Sequence, residues 1–389
     1  MSTSTPRTRF MKAALLAIFN VIVIVFFGLH ASDRAGVTDF AQYHVVAKRL
    51  RAGESIYEPF KSEGVVSLDP DARRTELDRG GEALNNIRTA NPPPLVVLSW
   101  PLAFLSYSVA WWCVCLSSLL IIAGFSYRVA RELFDSPLER ATWVTVSLGS
   151  FPTLANGLLN HIEPFVWAMM AWGWLRRRRG DEKVAGVLLG LAGSLKLFPL
   201  AFIPMLLAAG YRRASVFAAV VAVIGFGVSA TIVGPDVMLT FAREVLPQAA
   251  RYRYSLGNVS GLSLVARFVS PELAMFVGAA FLAWSVYLCR RHRSPDKVFV
   301  LSVTASLLCS PLSWTYYFIA VLPCVMVATM WLRDSGRALI PFLLATLVYW
   351  PWMLGGFIGE QWMPLPLVLT LNYVPTLGLM VLWMIPQRD

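Results

Sequence analysis

The chain has 389 residues, 57% of them hydrophobic and only 15% charged, with a mean hydropathy of +0.59. That balance excludes an ordinary soluble domain and indicates an all-α polytopic integral membrane protein. The net charge of +11 does not signal a nucleic-acid partner, because the basic residues fall in short runs between apolar segments, as in cytoplasmic loops.

Arg7, Arg9 and Lys12 precede an apolar run at 13–30. The run is long and lacks a clean small-x-small site before Ser32, so it is predicted to be an uncleaved signal anchor. By the charge rule, the polar stretch 31–93 forms a long outer loop. Residues 94–106 are interrupted by Pro101. Twelve or so helical residues reach about 18 Å, short of the roughly 30 Å hydrocarbon core, so this segment is predicted to be a re-entrant or partial helix. A full span follows at 109–130.

Three pairs of short apolar helices are then predicted, at 142–156 with 162–175, at 184–195 with 198–211, and at 298–309 with 316–332. Arginines or lysines flank both ends of each pair: Arg128, Arg131 and Arg140; Arg176 to Arg179 with Lys183; Arg212 and Arg213; Arg290, Arg291, Arg293 and Lys297; Arg333 and Arg337. Each pair then reads as a hairpin whose tip points outward and stops below the outer surface. Further spans are expected at 214–233, 273–289, 338–354 and 365–385, with a second outer loop at 234–272. The total is about twelve spans in one transmembrane domain over 1–389, with both termini inside. Polar backbone at the depth of the tips is tolerable only around a protein- or water-lined cavity, so an outward-facing cavity is expected there. The five cysteines (Cys113, Cys115, Cys289, Cys309, Cys324) lie in or beside apolar segments and read as packing residues.

The chemistry-bearing candidates are few. Lys196 is the sole formally charged residue between Lys183 and Arg212, and a buried ammonium is costly. It reads as a cation for an anionic group such as a lipid phosphate, or as a partner for an acid such as Glu163, or as a snorkelling side chain. His161 and Glu163 share one tip beside Pro164. Their spacing does not suit a metal triad, which leaves substrate positioning or a helix-start role for Glu163. Asp39, just outside the first span, can act as a general base or be an ordinary loop acid; Asp33, Glu54, Glu58, Asp69 and Asp71 compete with it. Asp69-Pro70-Asp71 matches an Asp-x-Asp metal element but lacks a nucleotide-binding α/β unit around it and reads as chance.

These features together resemble glycosyltransferase family 87, the polyprenol-phosphate-mannose-dependent mannosyltransferase-like group of the GT-C superfamily. The likeness rests on Asp39-Phe40 with Gly53 and Tyr57, on Pro92-Pro93-Pro94-Leu95 with Pro101-Leu102, and on Gly186 and Gly190 ahead of Lys196-x-x-Pro199. Asn258-Val259-Ser260 before Arg267 and Ser310-Pro311-x-Ser313-Trp314 complete it. It implies a GT-C-like fold, with Asp39 as the catalytic base and Lys196 at the donor phosphate. Tyr57, Asn91, His161, Glu163, Asn258, Trp314 and Tyr316 are the substrate-binding candidates, and no metal site is expected. The chain departs from the family's habit at Tyr316, where a histidine is common, and at Leu158-Leu159 in a Gly-Gln-x-Asn position; His161 is a candidate to compensate.

The resemblance implies transfer of a hexose, with mannose the family default, from a polyprenyl-phosphate donor to a glycolipid or polysaccharide acceptor, with inversion. No cofactor is implied, since the lipid-linked sugar is a substrate. The implied setting is the plasma (inner) membrane, among membrane lipids, with the site facing the periplasm or exterior. A transporter or flippase of lipid-linked sugars is the rival reading, and a lipid-linked polymer ligase a third.

Overall fold

The structure is a computed structural model describing residues 40–58, 89–249, 258–333, 338–350, 371 and 373–387. The predicted anchor 13–30, Asp39 and Asp69-Pro70-Asp71 lie outside the described residues, as do most of the loop 31–93 and parts of the expected spans 338–354 and 365–385. Among the described residues the chain is almost wholly helical, and a single isolated antiparallel bridge joins Asn258 to Trp314.

Three described helices are long and apolar enough to cross a membrane: α3 (Tyr107–Leu133), α9 (Arg212–Val233) and α13 (Pro271–His292). At 27 residues, α3 extends about 40 Å. Leu120, Val223 and Phe276 are each more than 70% exposed, an arrangement that suits lipid and would be unfavourable in water. The shorter helices are α1 (Phe40–Ala52), α2 (Pro93–Ser99), α4 (Pro137–Leu148), α5 (Phe151–Leu159), α6 (Glu163–Arg178), α7 (Glu182–Leu195) and α8 (Phe202–Ala208). After α9 come α10 (Pro235–Thr240), α11 (Leu246–Ala249) and α12 (Gly261–Phe268). Beyond α13 lie α14 (Pro295–Cys309), α15 (Leu322–Trp331), α16 (Leu339–Leu343) and α17 (Val374–Met384).

Helix starts follow local chemistry. Ser106, Ser150, Asp181 and Ser270 cap α3, α5, α7 and α13 by accepting the N–H of Val109, Thr153, Val184 and Leu273. The short helix expected over 142–156 is in fact two, α4 and α5. Ser150 is extended and caps a new start, and Pro152 cannot donate back to Leu148. The segment expected at 198–211 opens as a 3-10 turn at Phe198–Ala201 because Pro199 follows Lys196 closely, and α8 ends at Ala208. Residues 93–104 form α2 and a 3-10 turn (Trp100–Phe104) bent at Pro101, too short to cross a bilayer. Arg51 of α1 donates to Ala103 O (3.2 Å) and stands over the Phe104 ring, while His44 Nε2 donates to Leu105 O (3.2 Å). Burial holds the His44 pKa below the ordinary imidazole value, against the Leu105 bond. Tyr349 already lies beyond the π-turn Leu344–Val348, so the helical run expected over 338–354 stops earlier.

Close packing of α7 on α9 fixes the centre. A Cβ on Gly186 or Gly190 would collide with the backbone carbonyl of Ala214 or Ala218, so these glycines set the approach of the two helices in the small-xxx-small manner. That contact delivers Lys196, the residue after α7, to the polar end of the molecule.

Candidate active site

The three predicted hairpin tips meet. Glu163 opens α6, Lys196 follows α7, and Tyr316 lies in the 3-10 turn Thr315–Val321 that precedes α15. Glu163 Oε1 is 3.0 Å from Lys196 Nζ, and Oε2 is 3.2 Å from His161 Nδ1. Both contacts hold the carboxylate between the lysine and the histidine. Each charge also sits at the helix end that favours it: the carboxylate in the first turn of α6 and the ammonium at the C-terminus of α7. The glutamate side chain is 2% exposed and the lysine 11%. A buried charge without its counter-charge costs several kcal/mol, so each partner stabilises the ionised form of the other.

Around this pair the polar groups interlock. Lys196 Nζ donates to Asn91 Oδ1 (3.4 Å) and lies 5.6 Å from the Tyr317 ring centre. Asn91 Nδ2 donates to Thr89 Oγ1, and the Tyr57 hydroxyl donates to Asn91 O (2.7 Å). Tyr57 stacks on Phe241, and burial pushes its phenol pKa up, which keeps it a donor. His161 Nδ1 is also 2.9 Å from the Tyr43 hydroxyl. With a proton this nitrogen donates to Glu163; without one it accepts from Tyr43. The His161 ring stacks on Tyr316 with centroids 4.1 Å apart.

These groups border a cavity of about 350 Å³. Gln42 and Tyr43 of α1, Asn91, His161, Lys196 and Phe198 line it, with Ser310, Trp314, Tyr316 and Tyr317. Of the residues singled out in the sequence, Asn91, His161, Lys196, Trp314 and Tyr316 reach the cavity directly, and Glu163 stands behind His161 and Lys196. Two do not reach it. Tyr57 supports Asn91 from outside. Asn258 is fully buried and acts as a brace: its Nδ2 donates to Pro311 O (2.9 Å), and its Oδ1 accepts from Ser313 N (3.0 Å) and Ser260 N (3.2 Å). Asn156 does similar work for Tyr316, donating to its carbonyl at 2.7 Å. Sequence reasoning missed Tyr43, Gln42, Phe198 and Tyr317. Tyr317 could have been found as the neighbour of Tyr316 in the same polar tip; the other three carry no charge that sets them apart from packing residues.

Fold and site thus define an α-helical membrane protein with a recessed cavity of one ion pair, amides and aromatic faces. The chain belongs to glycosyltransferase family 87: the family's profile matches residues 90–311, more than half of the chain. That stretch contains Asn91, His161, Glu163, Lys196 and Asn258; Asp39, Tyr57, Trp314 and Tyr316 fall outside it. The chain is similar to the polyprenol-phosphate-mannose-dependent alpha-(1-2)-phosphatidylinositol pentamannoside mannosyltransferase of Mycobacterium tuberculosis (strain CDC 1551 / Oshkosh). The two are 25% identical over 295 residues, covering 70% of this chain and 64% of the relative. No solved structure matches the chain significantly.

Proposed function

We propose that this protein transfers a hexose, mannose by analogy with its relative, from a polyprenyl-phosphate donor to an acceptor hydroxyl on the outer face of the membrane. The observation that carries the proposal is Lys196 at the edge of an aromatic-walled cavity, with Glu163 and Asn91 taking two of its three N–H groups. An ammonium has three donors, which leaves one for a phosphate oxygen. The aromatic wall that Trp314 contributes to is suited to a sugar ring, and the acceptor is a glycolipid or polysaccharide hydroxyl.

Asp39 is the proposed base. It immediately precedes Phe40, the first residue of α1, whose Gln42 and Tyr43 line the cavity. The Asp39 carboxylate takes the acceptor's hydroxyl proton as its oxygen bonds to the anomeric carbon. The bond from that carbon to the phosphate oxygen breaks, its electron pair leaves with the polyprenyl phosphate, and Lys196 stabilises the developing charge. Asp39 then returns its proton to water. One displacement inverts the anomeric centre.

The test is transfer by the purified protein from polyprenyl-phosphate mannose to a glycolipid acceptor. The paired variant Lys196→Met with Glu163→Gln removes both charges together and so avoids stranding either one. Its donor KM should rise roughly 100-fold, as expected when a charge-assisted contact is lost. Unchanged donor kinetics would remove Lys196 from the phosphate, and donor movement across the bilayer without transfer would favour a flippase.

A further inference from the structure

Away from the cavity, a groove of about 570 Å³ opens between α3 and α6 near the arginine-rich end. Gly124 forms part of it, an exposed glycine in the middle of α3 where an added Cβ would meet nothing within 4 Å. A glycine weakens a helix interior relative to alanine, and among the described residues no neighbouring helix needs the space it leaves. The space belongs to the groove.

The two walls share one pattern. On α3, Gly124 and Arg128 are four residues apart, and on α6 so are Trp172 and Arg176, so each pair lies on one helix face. On both helices the uncharged residue comes first and the arginine about 6 Å farther along the axis. Arg179 joins them at the mouth, and no acid lines the groove among the described residues. Arg176 and Arg179 have acidic neighbours in Asp181 (3.7 Å) and Glu132 (2.8 Å). Arg128 is exposed and pairs with no acid among the described residues. Trp172, packed against Phe125, is 43% exposed, as suits a ring at the level of lipid headgroups.

We propose that this groove binds an anionic glycerophospholipid of the leaflet on the arginine-rich side, with an acyl chain along Gly124 and its phosphate at Arg128 and Arg176. Basic pockets between membrane helices recognise such headgroups through charge, and the apolar walls would add nothing to the binding of free phosphate. The chain's own amino-terminal segment is a poor occupant, since Arg7, Arg9 and Lys12 would bring like charge to a cationic mouth.

The experiment measures lipid retained by the full-length protein, using native mass spectrometry and thermal melting in micelles with phosphatidylglycerol or phosphatidylcholine. Wild type should retain phosphatidylglycerol preferentially and melt higher with it. Gly124→Leu fills open space in a helix, so it should lose most of the retained lipid while melting no lower than wild type without lipid. Arg128→Gln should weaken retention about five-fold, the share of one basic residue. Equal retention of the two lipids by wild type would overturn the proposal, as would full retention by Gly124→Leu. So would a lowered melting temperature of Gly124→Leu in lipid-free micelles, since that would show a protein segment already packed in the groove.

Discussion

The two ends of this molecule handle charge in opposite ways. At the arginine-rich end, Arg179 meets Glu132, Arg333 meets Glu139 and Arg178 meets Asp296, at 2.8 to 3.1 Å, with side chains from 14% to 60% exposed. Trp174 Nε1 also donates to Asp296, and the Arg177 guanidinium lies over the Tyr211 ring. At the cavity end, Glu163, Lys196 and His161 are all nearly buried, and the one carboxylate serves both of the others. About 24 Å separates the two ends along the 16 residues of α6. Water reaches the exposed pairs of the first end far more readily than the buried carboxylate of the second. The first arrangement is redundant and fixes orientation; the second is singular and positions chemistry.

The largest expected effect falls on activity. Asp39→Asn should cut transfer by about 10²- to 10⁴-fold, the range for loss of a general base, with unchanged expression and melting. Near-normal turnover in a membrane assay would move the base elsewhere.

Next comes stability at the cavity end. Glu163→Ala leaves the Lys196 ammonium buried with only Asn91 and the Tyr317 ring, so it should destabilise the fold by about 3–5 kcal/mol. Adding Lys196→Met should recover much of this without restoring donor binding. Denaturation in mixed micelles measures both variants. A single variant as stable as the wild type would mean that the pair is solvated and that the contrast between the two ends is false.

The architecture was legible in the sequence to the extent that charge and length carry it. Arginine runs mark the turns, Pro101 marks the partial helix, and the spacing of the short apolar pairs marks the three tips that meet at the cavity. The split at Gly149-Ser150 was not read, because a serine cap inside an apolar run looks like any small residue. Lys196 and Glu163 stood out because an ion in apolar sequence is conspicuous. Tyr43 and Asn156 did not, because their roles come from partners 118 and 160 residues away. Asn258 was legible as part of a motif but not as a brace, since only the fold aims its amide at Pro311 and Ser313 rather than at a substrate.

Asn258→Ala should therefore act through the tip rather than through the ligand. It strips one donor from Pro311 O and one acceptor from the N–H groups of Ser313 and Ser260, costing about 2 kcal/mol. Because Trp314 follows Ser313 directly and lines the cavity, donor KM should rise in step with the loss of stability. A rise in donor KM with intact stability would instead place Asn258 against the substrate.

The smallest effect belongs to the arginine-rich end. Arg333 Nη2 donates to Glu139 Oε1 at 2.8 Å, yet the side chains are 60% and 37% exposed. A pair of this kind gains little over its hydration and is screened by salt. Arg333→Ala should shift stability by less than about 1 kcal/mol and leave transfer unchanged, and the small difference should shrink in high salt. Its other consequence concerns orientation: with fewer cations on that side, topology reporters should show a slightly larger inverted fraction. A loss of several kcal/mol here, comparable to Glu163→Ala, would mean that the arginine-rich end is as tightly coupled as the cavity end and that its redundancy is only apparent.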